Sequence, residues 1–263
     1  MEVELIFVLV RVVICLAFFG YASWSDLKKR EVSNLVWLFF LPIAFAATAT
    51  ELLYFGSMDS WITYGFSFLI TTSMALALFY TGAYGGADAK ALICLAVAIP
   101  FYPSNVFKPL FGESLIPFPI TVFINSVLLA ALIAPYMLLH NLLWKVKNRR
   151  KLFSGLEKEP LWRKVLVLIC GYKVSCEKLK EKPFLFPLED VEGDGLKRKL
   201  VIFVRDEGRD EVVKRLLSNI RNEESGEVWV TPGLPMLVFI TLGIIIGLFF
   251  ENIVWDILIL LLG

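Results

Sequence analysis

The run LIFVLVRVVICLAFFGY (Leu5–Tyr21), closed a few residues later by Lys28-Lys29-Arg30, decides the fold class. Crossing a hydrocarbon core takes roughly 20 helical residues, and this run nearly supplies them. Its leading flank carries Glu2 and Glu4, and Arg11 interrupts it. A secretory signal has the opposite charge order, with its positive end first, so the run reads as a retained helix with its N-terminus outside. Leu35–Phe55, Trp61–Thr81, Phe118–Leu143 and Leu234–Phe250 repeat the pattern. Ala89–Tyr102 is shorter and reads as a sixth span or as a re-entrant, half-buried helix. Hydrophobic residues make up 57% of the chain and charged ones only 19%, too little charge to cover so large an apolar content in water. The expected fold is a membrane all-α bundle of six transmembrane helices, with a small cytoplasmic α/β insert between the fifth and sixth.

Lys and Arg in the loops set the orientation. Lys28, Lys29 and Arg30 follow the first span, Tyr54–Ser60 carries none, Lys90 follows the third, and Pro103–Pro117 has only Lys108. Lys145–Thr231 holds 20 of the 26 Lys and Arg residues. This alternation puts the basic loops in the cytoplasm and both termini outside. The chain thus divides into a membrane block, Met1–Trp144, a cytoplasmic insert, Lys145–Thr231, and a closing helix with its tail, Pro232–Gly263.

Within the insert, Lys199–Val204 and Glu227–Thr231 read as strands, Pro183–Leu188 as a further one, and Asp206–Asn222 as an amphipathic helix burying Val212, Val213, Leu216, Leu217 and Ile220. Lys164–Cys170 is too short to span and reads as an interfacial or buried helix. Pro232 and Pro235 mark the re-entry into the bilayer. After the last span, Glu251, Asn252 and Asp256 make Ile257–Leu262 an outer interfacial turn. The four cysteines show no C-x-x-C spacing, so neither a zinc ribbon nor a disulfide framework follows. A net charge of +1 argues against a nucleic-acid binder.

Acidic residues beside membrane helices are costly and usually functional. Asp26 follows the first apolar run, and Asp88 opens the fourth within Gly85-Gly86-Ala87-Asp88-Ala89-Lys90. By loop charge both lie on the cytoplasmic side. Taken singly, Asp26 is a helix-end acid offset by Lys28 and Arg30, and Asp88 an N-cap. Neither reading accounts for two carboxylates on one face beside a glycine loop. Paired carboxylates share a proton, so the ionised one takes a proton from water while the other polarises a carbonyl. Glycines at 85 and 86 would let a substrate backbone approach or the loop take positive φ.

Gly85-Gly86-Ala87-Asp88-Ala89-Lys90 resembles the GxGD motif of the type IV prepilin peptidases, and Asp26–Asn34 resembles the segment around their first catalytic aspartate. The insert and Trp229-Val230-Thr231-Pro232-Gly233-Leu234-Pro235 are similar to the archaeal branch, the preflagellin peptidases. The resemblance implies a membrane aspartic endopeptidase that removes the short basic leader of preflagellins or prepilin-like proteins at the cytoplasmic face, with no cofactor or metal. It carries the catalytic aspartates onto Asp26 and Asp88. Substrate contacts fall to Gly85, Gly86, Ala87 and Lys90, although Lys90 reads equally as a snorkelling anchor. Ala87 stands where bacterial members carry glycine, and the paired-cysteine domain of the bifunctional enzymes is missing, so no N-methylation is expected. His140 has no evident partner, and Tyr21 and Tyr84 read as interfacial belt aromatics. The rival from another class is a proton- or cation-coupled transporter with Asp26 and Asp88 as relay. Such relays usually lie near the bilayer midplane, often between repeated halves.

Overall fold

The computed structural model describes residues 2–109, 116–149, 151–192, 197–201, 209–220, 226–250 and 252–254. Its helices are α1 (Glu2–Lys29), α2 (Asn34–Phe55), α3 (Met58–Tyr80), α4 (Gly86–Ala98), α5 (Phe118–Ala131), α6 (Ile133–Asn148), α7 (Leu161–Cys170), α8 (Cys176–Glu181), α9 (Arg209–Ile220) and α10 (Met236–Phe250). The strands are β1 (Tyr172–Ser175), β2 (Leu185–Pro187), β3 (Glu189–Glu192), β4 (Lys197–Leu200) and β5 (Glu227–Pro232). Packing divides the chain into two units, Met1–Ala130 with Pro235–Gly263, and Ala131–Leu234.

Among the described residues, four stretches are long and apolar enough to cross a membrane: Val3–Lys29, Asn34–Phe55, Met58–Tyr80 and Phe118–Asn148. Helix α10 has 15 residues and α4 only 13. The sixth predicted span therefore contracts to a helix that ends at Ala98 rather than Tyr102. The first unit shows why so short a helix persists. Ala89, Ala91, Leu92, Cys94, Leu95, Ala96, Val97 and Ala98 are all buried, with α1, α2, α3 and α10 packed around them. A helix enclosed by protein need not match the hydrocarbon thickness.

Enclosure leaves the last carbonyls of α4 without water, so side chains must satisfy them. The Thr48 hydroxyl donates to the carbonyls of Val97 (2.9 Å) and Ala98 (3.2 Å), and Arg11 Nη1 donates to Ala98 (3.3 Å). Ser67 donates to Pro100 at 2.8 Å. Glu51 holds the Arg11 guanidinium through Nε–Oε2 at 2.8 Å and Nη2–Oε1 at 2.9 Å. The arginine that interrupts the first apolar run is thus the clamp on the far end of α4. Helix α10 packs closely on α5, where a Cβ at Gly243 would lie 2.7 Å from the Val122 carbonyl oxygen. Ser23, one turn before Asp26, donates to the Leu237 carbonyl at 2.9 Å and so joins α1 to α10.

In the second unit, β5 is the centre of an antiparallel sheet ordered β1-β5-β2. Val228 and Val230 pack with Leu179, Leu185 and Leu216, while Trp229 packs oppositely with Leu156, Val167 and Leu188, the alternation a strand buried on both faces requires. The predicted strand Lys199–Val204 is β4, which ends at Leu200 and pairs with β3; 202–208 lie outside the described residues. The sequence pattern missed β1, β3 and α8. It missed β3 because the strand carries Glu189, a fully buried carboxylate that accepts from Trp229 N–H (2.8 Å) and from Arg198 (2.7 and 2.9 Å). Ile257–Leu262 also lies outside the described residues.

Candidate active site

The loop between α3 and α4 is set by one glycine. Gly82 takes φ 75°, its N–H bonds the Phe79 carbonyl (3.0 Å), and Ala83 N–H bonds Leu78 (3.0 Å). This left-handed close to a helix suits a residue without Cβ. Tyr84 N–H also bonds Leu78, at 3.1 Å, so Gly85 arrives at a fixed position as N-cap of α4. Gly85 itself has φ −70° and ψ 160°, and Gly86 is the first helical residue. The positive φ expected at these two glycines belongs instead to Gly82, because the reversal of chain direction happens there.

Asp88 is accordingly not the N-cap but the third residue of α4. Its Oδ2 accepts from the N–H of Gly85 at 3.2 Å, the acidic half of a capping box. A Cβ on Gly85 would lie 3.1 Å from that oxygen, whereas one on Gly86 would meet only Phe79, at 3.5 Å. Asp88 stands ahead of the apolar stretch and outside the four spans. Burial first, and then the charge of Asp26, push its carboxyl up to about 6, against the pull of the Gly85 N–H.

Asp26 lies inside the last turn of α1, which runs past the apolar stretch to Lys29. Arg30 closes the helix with φ 58°, donating its N–H to the Asp26 carbonyl at 2.9 Å. Its cationic side chain and the backbone N–H of Leu237, in the first turn of α10, both stand near the Asp26 carboxyl. Helix N-termini favour an anion. The two carboxyls thus come from the end of α1 and the start of α4, close enough for one charge to shift the other.

The other predicted site residues separate. Gly85 touches Asp88 directly, and Ala87 packs partly buried against the core. Lys90 is exposed and donates to Asn34 Oδ1 at 2.7 Å, at the start of α2, so it is engaged rather than free above the aspartates. Tyr84 packs on Phe123 with ring centroids 5.7 Å apart. It is half-buried; burial first, and then the charge of Asp88, push its phenol up to about 12, against the pull of a bond with Ser126. Tyr21 is exposed. His140 stands in the second unit between Tyr136 and Tyr172. Sequence reasoning missed the Leu237 N–H; Pro235 just ahead of α10 was the signal, since it marks the helix start where N–H groups go unpaired. Among the described residues, no three His, Cys, Asp or Glu side chains cluster as a metal site.

Residues 13–134, which contain both aspartates, match the type IV leader peptidase family, and residues 163–253 match the archaeal peptidase A24 C-terminus, type II. The chain is 29% identical to the preflagellin peptidase of Methanococcus voltae over 229 residues, covering 86% of this chain and 88% of the relative. It is 26% identical to that of Methanococcus maripaludis over 232 residues, with 86% and 88% covered. It is 28% identical to the prepilin peptidase EppA of Methanothermobacter thermautotrophicus over 178 residues, 61% of this chain and 41% of the relative.

Proposed function

Since this chain belongs to the type IV leader peptidase family and is an aspartic-type, leader-cleaving protease of the membrane, we propose that Asp26 and Asp88 are its catalytic pair and that its substrates are preflagellins or prepilin-like proteins, cut at the cytoplasmic face. What carries this is that the last turn of α1 and the first turn of α4 bring the two carboxyls near enough for their charges to interact. Asp88 keeps the shared proton and donates it toward the scissile carbonyl oxygen. Asp26, which faces the Arg30 side chain and the start of α10, takes a proton from the attacking water. The tetrahedral adduct then collapses: the C–N bond breaks as Asp26 passes its proton to the leaving amine, and an adduct hydroxyl returns a proton to Asp88 as the carbonyl re-forms. Gly85, Gly86 and Ala87 present little side chain where the substrate backbone passes, and Lys90 with Asn34 borders that path. The basic loops face the cytoplasm, α4 and α10 complete a six-helix membrane bundle, and the product leaves without N-methylation.

Asp26→Asn and Asp88→Asn are each expected to abolish leader cleavage in membranes while the protein still inserts and accumulates, because an amide neither exchanges the proton nor activates water. Near-normal cleavage by either variant removes the assignment.

A further inference from the structure

Helix α7 leaves an apolar stripe uncovered within its own unit. Leu161, Trp162 and Val165 are 79%, 57% and 55% exposed, with Leu166 and Ile169 partly exposed at the following positions of the same face. This is not the core face, because Val167 opposite is buried against Leu188 and Trp229. The interleaved cations are tied back to the protein. Arg163 meets Glu159 at 3.2 Å and the Leu200 carbonyl at 3.4 Å, and Lys164 donates to the Glu157 carbonyl at 2.8 Å.

What covers the stripe follows from α6, which packs on α7. Helix α6 belongs to the apolar stretch Phe118–Asn148, and its Leu139, Leu143 and Val146 are exposed in the same way. Asn141 Nδ2 donates to the carbonyls of Leu168 (2.9 Å) and Gly171 (2.7 Å). It thereby caps the C-terminus of α7 about two turns inside the end of α6. The exposed stripe of α7 is thus held against a helix that belongs to a stretch long and apolar enough to cross a membrane and that exposes apolar side chains of its own. Lys145 and Lys147 in the last turn of α6, with Lys151 and Lys158 beyond it, supply the positive charge that anionic headgroups attract.

We propose that α7 is an interfacial anchor, laying Leu161, Trp162 and Val165 among the lipids at the headgroup boundary and tying the sheet-bearing unit to the bilayer surface. Packing on α6 holds this ten-residue helix ready-formed, so little ordering is needed on contact with lipid, although a helix this short would not persist alone.

The test uses the full chain in lipid nanodiscs containing anionic lipid, with the native cysteines replaced. A nitroxide is placed by Leu161→Cys, Val165→Cys or, as reference, Ser218→Cys on the exposed side of α9. Relaxation by oxygen, which partitions into lipid, is compared with that by a water-soluble nickel chelate. The expected oxygen-to-nickel ratio at 161 and 165 is several-fold above that at 218. Ratios equal to that at 218 overturn the proposal. So does exclusion of both relaxants, which would mean that a protein surface, such as a second copy of the chain, covers the stripe.

Discussion

Gly85→Ala perturbs the site by one methyl group. Its backbone, at φ −70° and ψ 160°, accepts alanine without strain, so the chain folds. The new Cβ would stand 3.1 Å from Asp88 Oδ2, close enough that the carboxylate shifts by a few tenths of an ångström. That shift weakens the 3.2 Å bond from Gly85 N–H. In an exposed setting such a bond contributes about 1 kcal/mol, and it favours the ionised form. One pKa unit corresponds to about 1.4 kcal/mol, so losing the bond raises the Asp88 pKa by about half a unit or more. In the unmodified protein, Asp88 loses its proton as pH rises through about 6. Above that pH both carboxylates are ionised, no proton remains for the carbonyl, and cleavage falls. Gly85→Ala should therefore move this alkaline limb upward while misalignment lowers the maximal rate about tenfold, at about 1.4 kcal/mol per factor of ten. Gly86→Ala, whose Cβ would make only ordinary contact with Phe79, serves as the control. The assay is cleavage of a preflagellin-type substrate in membranes across pH, normalised to protein level. A wild-type rate and limb for Gly85→Ala, or a larger loss for Gly86→Ala, refutes the placement of Asp88.

Arg11→Met leaves Glu51 without its partner and the end of α4 without its clamp; a loss of about 3 kcal/mol is expected and should be read as a lower melting temperature in nanodiscs. Adding Glu51→Leu should recover part of that loss. Gly243→Ala drives a Cβ to 2.7 Å from the Val122 carbonyl oxygen, and parting α10 from α5 should cost about 1–3 kcal/mol, whereas Gly20→Ala, with open space around it, should be neutral by the same measurement. Cysteine labelling on a background lacking native thiols should find positions 33 and 218 cytoplasmic and 60 and 104 exterior; opposite sides for 33 and 218 would undo the orientation read from Lys and Arg.

The long helices were legible because crossing hydrocarbon is a local demand, met by each run's own length and apolarity. The order of the two aspartates and the glycine loop between α3 and α4 could also be read directly, since motif and charge asymmetry are written along the chain. Helix α9 and strand β5 followed from periodicity for the same reason. Three things were not legible. Arg11 read as an interruption, since its partners Glu51 and Ala98 lie far along the chain. Strand β3 was hidden because Glu189 looks solvent-facing until Arg198 and Trp229 N–H close on it.

The third was the local character of each catalytic candidate. The sequence by itself determined that two carboxylates reach the same side of the membrane block. The tertiary structure alone decided that Asp26 stands near the first turn of α10 while Asp88 is half-buried close to it and bonded to Gly85. Spans and turns depend on neighbours a few residues away. The proton affinity of a carboxyl depends on burial and on charges brought from distant helices, which only packing supplies.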